Sequence, residues 1–205
     1  MTSIMSNKSA GLSESRIVLN SNFSSLDDLF KSYGGDDFKI DLGCGFVKPQ
    51  GFIGLDNLSG ERSQIPNAVN APDILLDLNR DRLPFPDNSC VEVRASHFLE
   101  HSEVIHILDE CYRVLKPNGT FLFAVPYANS AEGMYPGHNI FFTEKWFYKN
   151  LTFQKNFQIQ KEDYFPSDDF MALPKIVRLF LPFGFARKFL FNACWQMMLT
   201  CKVKK

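Results

Sequence analysis

The chain has 205 residues, of which 22 are basic and 23 acidic, giving a formal net charge of −1 at pH 7. Nucleic-acid-binding proteins carry a basic excess on one face, so this balance predicts no nucleic-acid partner. The five cysteines form no C-x-x-C pair, which argues against a disulfide framework or a zinc ribbon and favours reduced thiols in a cytoplasmic protein.

The first 22 residues are polar and contain no apolar run that could serve as a signal peptide. We therefore predict a disordered tail over residues 1–22. Residues 23–205 contain no repeat and no low-complexity linker, and this predicts one domain. A short helix is expected to follow Ser24 or Ser25, either of which can cap it.

Short apolar segments predict strands over residues 38–42, 52–55, 73–76, 91–95 and 120–125. Apolar residues at helical spacing predict a helix over residues 103–115, and Lys116-Pro117-Asn118-Gly119 is expected to end it. Further on, the pattern indicates a helix over residues 143–150 and strands over residues 157–164 and 195–203. Strands separated by helices or long connections are typical of an α/β fold with a parallel sheet.

A glycine turn and two acids follow the first three predicted strands. In open α/β sheets, ligands bind beyond the carboxyl ends of the strands. Position 48 is Lys, where a dinucleotide fingerprint needs glycine, and no P-loop lysine follows. This favours a nucleoside ligand without phosphates, with Asp56 accepting the ribose hydroxyls and Asp77 accepting the adenine amino group.

Four motifs between residues 38 and 126 together resemble those of class I S-adenosylmethionine-dependent methyltransferases, specifically of the type 11 group. They are Asp41-Leu42-Gly43-Cys44-Gly45, Asp77-Leu78 with Leu83-Pro84-Phe85-Pro86-Asp87-Asn88-Ser89, His97-Phe98-Leu99-Glu100-His101, and Arg113-Val114-Leu115-Lys116-Pro117-Asn118-Gly119.

The resemblance implies a Rossmann-like, mostly parallel sheet of seven strands with helices on both faces, and S-adenosylmethionine as cofactor. It implies the following cofactor-binding residues: Asp41, Gly43, Cys44 and Gly45 around the amino-acid part, Asp56 at the ribose, Asp77 and Leu78 at the adenine, and His97 beside the sulfonium.

Two features depart from the family pattern. About ten residues separate the first two strands, and a helical crossover needs a dozen or more. We therefore expect the first crossover helix to be lost or reduced to a turn. Asn118 replaces the family's first glycine, a mild change because Asn tolerates a left-handed backbone.

The expected activity is methyl transfer to an oxygen or nitrogen of a small molecule. By family analogy, that molecule is a sugar of a surface glycan or a secondary metabolite. Such an acceptor needs a base, and the candidates are His138 first, because His titrates near neutral pH, then His101 and Tyr127. His138 could equally hydrogen-bond a loop. The alternative function is a non-catalytic or non-methylating S-adenosylmethionine-binding protein.

The H-F-L-E-H sequence at residues 97–101 does not match the H-E-x-x-H metal motif, since its Glu comes three residues after the first His. We predict no metal site there.

The segment Leu173–Ala193 mixes apolar residues with four basic ones and is interrupted by Pro182, so it is unsuited to span a bilayer. We expect a helical insertion over about residues 171–193, before the last strand, that forms a lid over the acceptor. The alternative is an amphipathic hairpin with weak contact to a membrane surface.

Overall fold

The computed structural model describes residues 17–57 and 72–205. Its strands are β1 (Val18–Leu19), β2 (Phe38–Leu42), β3 (Ile53–Asp56), β4 (Ile74–Leu75), β5 (Cys90–Ser96), β6 (Leu115–Pro126), β7 (Phe157–Pro166) and β8 (Cys194–Val203). Its α-helices are α1 (Leu26–Ser32), α2 (Val104–Val114), α3 (Glu144–Lys149), α4 (Leu151–Asn156), α5 (Asp168–Ala172), α6 (Lys175–Phe180) and α7 (Phe183–Phe189), and a 3₁₀ helix covers Leu99–His101.

The strands form one sheet in the order β1-β4-β3-β2-β5-β6-β8-β7. From β4 to β6 all neighbours are parallel, whereas β8 runs antiparallel to both β6 and β7. The chain builds outward from β2 through β3 to β4 and then returns to the other side of β2 with β5. The order of the strands therefore reverses between β2 and β5, which is where α/β sheets bind ligands.

This architecture confirms the predicted α/β, Rossmann-like class and most of the predicted elements. Helix α1 begins after Ser25, whose side chain accepts a hydrogen bond from the backbone N–H of Asp28. Residues 43–52, between β2 and β3, contain no helix, which confirms the shortened first crossover. Strands β7 and β8 flank α5, α6 and α7, so a helical insertion does precede the last strand.

Three predictions need correction. The sheet has eight strands rather than seven because Val18–Leu19 pairs with β4 and covers its open edge. Residues 17–22 are thus not part of a disordered tail, while residues 1–16 lie outside the described range. Residues Lys116–Gly119 form part of β6 rather than a helix end, and Asn118 takes the left-handed conformation there, with φ of 63°.

Phenylalanine, the most unusual element of the composition, fills the core between β6 and the helices that follow it. Phe123 of β6 is 1% exposed, and its ring lies 5.1 Å from Phe147 of α3 and 6.2 Å from Phe153 of α4. Phe121 packs at 5.3 Å on Phe157, the first residue of β7. These tilted and edge-on contacts are the favourable arrangement for aromatic pairs. They fix α3 and α4 against β6.

The longest helix among the described residues, α2, has 11 residues. No described helix is both long and apolar enough to span a membrane.

We predict that Phe123→Ala lowers the free energy of unfolding by about 3–5 kcal/mol, because a large buried ring is replaced by a cavity. Urea denaturation measures this loss. The matched control is Phe141→Ala, which truncates an exposed phenylalanine and should change stability by less than about 0.5 kcal/mol. Equal effects of the two substitutions would contradict the assignment of Phe123 to the core.

Candidate cofactor and acceptor site

The carboxyl ends of β2, β3, β4, β5 and β6 meet at one edge of the sheet because these strands are parallel. Gly43 follows β2 and His97 follows β5, on either side of the point where strand order reverses. The edge therefore brings together the residues that the sequence singled out at strand ends.

The glycine turn after β2 adopts a backbone that other residues avoid. Gly43 and Gly45 have φ of 64° and 56°, in the left-handed region that glycine enters without steric cost. A Cβ on Gly43 would lie 2.5 Å from the Phe98 ring. The backbone N–H groups of Gly43 and Cys44 both donate to Leu55 O, at 2.9 and 3.2 Å. The turn is thereby fixed to the end of β3.

Asp56, the last residue of β3, is buried and its Oδ2 accepts a hydrogen bond from Gly45 N at 2.7 Å. This places its carboxylate beside the glycine turn, as expected of a residue at the ribose of a nucleoside. Cys44 in the same turn is buried, and burial raises the pKa of its thiol. It is therefore a packing residue and not a nucleophile.

Asp41, inside β2, forms an ion pair with Arg94 of β5, whose Nη1 donates to both carboxylate oxygens, at 3.0 and 2.8 Å. Burial raises the pKa of Asp41 to about 6, although the neighbouring Arg94 acts in the opposite direction. Sequence analysis missed Arg94. The strand carries two charged residues, Glu92 and Arg94, and nothing local singles out Arg94, whose partner lies 53 positions away.

Lys48, at the position where a dinucleotide site has glycine, joins a buried polar cluster that sequence analysis also missed. Its Nζ pairs with the Asp73 carboxylate and lies 2.7 Å from the Tyr33 hydroxyl. Asp73 also accepts a hydrogen bond from Gly54 N at 2.8 Å. The cluster ties the connection after β2 to α1, β3 and the start of β4, where the family usually has a helix.

Asp77 lies two residues beyond β4 rather than at its end. Its carboxylate accepts a hydrogen bond from Asn79 N at 3.1 Å and pairs with Arg80 at 3.7 Å, while Leu78 is buried. The placement of Asp77 and Leu78 at the adenine stays a prediction.

His97 follows β5 with a left-handed φ of 50°, a conformation that is uncommon for residues other than glycine. Its Nε2 lies 2.7 Å from Gln196 Oε1, and its ring stacks on Trp195 at 5.6 Å. The Glu100 carboxylate, 3.5 Å from Nδ1, raises the pKa of His97. Neither Gln196 nor Trp195 was predicted as a site residue. Strand β8 is antiparallel to β6, so its first residues, and not its last ones, lie at this edge.

His101 and His138 lie together, with ring centroids 4.7 Å apart. The Nδ1 of His101 lies 3.0 Å from Gly137 O, and the Nδ1 of His138 lies 3.2 Å from Gly133 O. Because a carbonyl can only accept, Nδ1 is the donor in each pair, and in the neutral form of the ring Nε2 is then the acceptor.

The neighbouring Glu100 is 1% exposed, and neither carboxylate oxygen has a hydrogen-bond partner among the described residues. Its backbone oxygen accepts a hydrogen bond from Asn139 N at 2.7 Å, which holds the His138 loop against the 3₁₀ helix. Ligand atoms of Glu100, His101 and His138 lie within 4.8 Å of one another, close enough to surround a metal ion. The sequence missed this grouping because His138 is distant along the chain.

Tyr127 follows β6 and is buried. Its hydroxyl donates to Glu144 at 2.8 Å, and burial together with Glu144 raises its pKa to about 12. A phenol in this state keeps its proton at neutral pH, so Tyr127 joins the end of β6 to α3 rather than accepting a proton.

The comparisons with known proteins agree with this geometry. Residues 40–123 match the family model described as Methyltransferase domain. A methyltransferase from Archaeoglobus fulgidus described as S-adenosylmethionine-dependent superposes with a TM-score of 0.60 at 16% identity, covering 86% of this chain and 90% of that one. The YcgJ protein from Bacillus subtilis gives 0.55 at 16% identity over 86% and 96% of the two chains.

A geranyl diphosphate C-methyltransferase from Streptomyces coelicolor, solved with S-adenosyl-L-homocysteine, gives a TM-score of 0.52 at 11% identity over 87% and 78% of the two chains. No curated protein matches the sequence. The match over residues 40–123 supports the resemblance of this chain to the class I S-adenosylmethionine-dependent methyltransferases, and the solved structures share its fold.

The residues present fit S-adenosylmethionine, the cofactor expected from the match to a methyltransferase domain. The turn at Gly43 and Gly45 has no side chain between the backbone and a ligand, and Phe98 leaves no room for one at Gly43. Two buried carboxylates, Asp41 and Asp56, stand on either side of this turn. They match a ligand that carries an ammonium group at one end and a ribose diol in the middle.

We predict that Arg94→Met lowers the free energy of unfolding by about 2–3 kcal/mol, less than a fully buried pair because 30% of the Arg94 side chain is exposed. The folded-state pKa of Asp41, about 6, lies above its ordinary 3.8. The fold therefore favours the protonated acid, and stability from this group falls as pH rises from about 4 to about 6.

Without Arg94 the Asp41 carboxylate has no compensating charge, so the decrease in the free energy of unfolding should be larger at pH 8 than at pH 5. Urea midpoints at the two pH values measure it. Lys39→Met, which breaks the more exposed Lys39–Glu92 pair on the same two strands, is the control and should cost less than about 1 kcal/mol at either pH. A pH-independent loss in Arg94→Met would contradict the coupling to Asp41.

Proposed function

We propose that this protein transfers the methyl group of S-adenosylmethionine to an oxygen or nitrogen of a small-molecule acceptor, with His138 taking the acceptor's proton. The observation that supports this is the grouping of two imidazoles and a buried carboxylate on the loop and 3₁₀ helix that follow the cofactor edge. A sugar of a surface glycan or a secondary metabolite is the acceptor class we propose, by analogy with the family.

The bound cofactor supplies an electrophilic methyl group on a sulfonium, whose sulfur keeps the electron pair of the broken bond. The protein's task is then to align the acceptor and remove its proton. The lone pair at Nε2 of His138 suits that role because Gly133 O holds the tautomer. His101, with the same arrangement at Gly137 O, is the second candidate.

Glu100 supports proton transfer through its charge. A buried carboxylate without hydrogen-bond partners is costly, and a proton gained by a neighbouring imidazole supplies a compensating positive charge. His97 lies 3.5 Å from the same carboxylate. We infer that Glu100 stabilises the imidazolium at His138 or His101. Tyr127, whose hydroxyl donates to Glu144, is not our candidate for the base.

The alternative is a protein that binds S-adenosylmethionine without transferring its methyl group. The [4+2]-cyclase SpnF has a related fold, with a TM-score of 0.53 at 18% identity over 86% of this chain and 79% of that one. The histidine pair is the feature that favours methyl transfer, and we propose a cytoplasmic location for the reaction.

We expect Asp56→Ala to weaken binding of S-adenosylmethionine about 10- to 150-fold, because charge-assisted hydrogen bonds to the ribose are lost. Calorimetry measures the affinity. Asp56→Asn keeps an acceptor for Gly45 N and should fold normally while still binding more weakly. Asp37→Asn, at the opposite edge of the sheet before β2, is the control. Unchanged affinity in Asp56→Ala would remove Asp56 from the pocket.

We expect His138→Ala to lower turnover about 10²- to 10⁴-fold, as for loss of a general base, with little change in cofactor affinity. The matched control is His106→Ala, which removes an imidazole of α2 that contacts Asp81 O. Normal turnover with a lower melting temperature would make His138 structural. Activity that disappears on chelation and returns with zinc would instead indicate that Glu100, His101 and His138 act through a metal.

A further inference from the structure

The helical insertion exposes an unusual amount of apolar surface. Helix α6 buries none of its residues, and α7 buries only Ala186. Phe180 is 81% exposed and Leu179 is 71% exposed. The six most exposed apolar side chains of this region, here called the insertion patch, are Ile176, Leu179, Phe180, Phe185, Phe189 and Phe191. Contiguous apolar surface of this kind marks an interaction site.

Basic residues outnumber acidic ones in the insertion, where the only acids are Asp168 and Asp169, exposed at the start of α5. Residues 170–193 contain Lys175, Arg178, Arg187 and Lys188 and no acidic residue, although the whole chain has a net charge of −1. Arg187 is engaged by Glu144 at 3.1 Å. Lys175 and Lys188 are exposed beside the apolar side chains. Phenylalanine and leucine flanked by basic residues are the composition of interfacial helices that bind anionic lipid.

The insertion is held in a fixed place on the protein. The guanidinium of Arg187 lies 3.7 Å from the centre of the Tyr164 ring. Asn129 Nδ2 donates to Leu190 O at 2.8 Å, and Ala131 N donates to Asn192 Oδ1 at 3.0 Å. A small cluster around Phe170, Ala186 and Ala193 holds the helices to each other, separate from the main core. The exposed residues are thus presented outward from an anchored base.

We propose that the insertion patch docks on the surface of an anionic membrane, with its phenylalanines among the acyl chains and Lys175, Arg178 and Lys188 at the head groups. In a lid closed over the acceptor, apolar residues of the insertion would be buried against the rest of the protein. Helix α6 has no buried residue. A second copy of this chain would place the same patch face to face, which brings the basic residues of both copies together.

The topology gives the docked protein a definite orientation. Strand β7 ends and β8 begins at the cofactor edge, since β7 is parallel to β6 and β8 is antiparallel to it. The insertion between them therefore lies at the same edge as the glycine turn and His97. Docking would turn this edge toward the lipid and favour an acceptor carried on a membrane lipid. That consequence rests on the proposed function, while the docking itself does not.

Co-sedimentation with phosphatidylcholine vesicles, with and without phosphatidylglycerol, tests the proposal on the full chain without cofactor or acceptor. We expect binding to the anionic vesicles that weakens with salt. Leu179→Glu/Phe180→Glu should abolish it. Leu151→Glu, at a residue of α4 that is 85% exposed, is the control and should bind normally.

The charge contribution is tested by Lys175→Glu/Lys188→Glu, which should lower binding at least about tenfold, since each basic residue near an anionic surface contributes about fivefold. Lys149→Glu/Lys155→Glu, which reverses two exposed lysines of α3 and α4, should lower it less.

Absence of binding to anionic vesicles at low salt would overturn the proposal, as would binding that Leu179→Glu/Phe180→Glu leaves unchanged. A dimer seen by light scattering that this variant dissociates, without vesicle binding, would assign the patch to a second copy. Cofactor affinity and turnover with a water-soluble acceptor are measured separately, so failure of docking leaves the methyltransferase proposal standing and failure of turnover leaves docking standing.

Discussion

The connection between β2 and β3 has to hold the cofactor turn without a helix, and the rest of the site depends on how it does so. The turn donates two backbone hydrogen bonds to Leu55 O and one to Asp56. Behind it, the buried Lys48–Asp73 pair fixes the connection to β3 and α1. Breaking such a pair leaves an uncompensated buried charge and costs about 3–5 kcal/mol. A short polar cluster therefore replaces the rigidity that a crossover helix usually provides, and it leaves Gly43 against Phe98 where no side chain fits.

Buried charge is arranged differently on the two sides of the switch point. At β2, the carboxylate of Asp41 is matched by two hydrogen bonds from Arg94, yet burial still raises its pKa to about 6. A ligand ammonium would add the compensation that burial removes. After β5, Glu100 has no hydrogen-bond partner among the described residues and faces histidines instead. Its charge is therefore available to a proton that arrives during the reaction. The buried carboxylate of Asp41 is thus paired with a permanent cation, Arg94, whereas the buried carboxylate of Glu100 lies beside imidazoles that become cations only when they bind a proton.

Sequence analysis predicted what is local and missed what is assembled from distant segments. A few consecutive residues suffice to predict the glycine turn, Asp56 at a strand end, the capped helix α1 and the apolar stripe of α2. Arg94, Lys48 and Gln196 become meaningful only beside partners 53, 25 and 99 positions away. Strand β1 was missed because two residues have no measurable periodicity, and Val18–Leu19 is a strand only because β4 offers an open edge. The base candidates show both cases, since His101 lies in a motif and His138 reaches it through a loop pinned to Glu100 O.

The position of the helical insertion follows from strand direction rather than from any property of its own sequence. Strands β7 and β8 must join at the edge where β6 ends, so any segment placed between them lies at the same edge of the sheet as the cofactor turn. Arg187 then links the insertion to that edge through Glu144, which also accepts from Tyr127 at the end of β6. Tyr127, a base candidate by position, donates its hydroxyl hydrogen bond to Glu144 and thereby links the end of β6 to Arg187 of the insertion. The anchoring contacts are made by α7 and the residues after it, whereas α6 buries none of its residues. The surface most distinctive of this chain is thus fixed by strand direction at the same edge of the sheet as the cofactor turn.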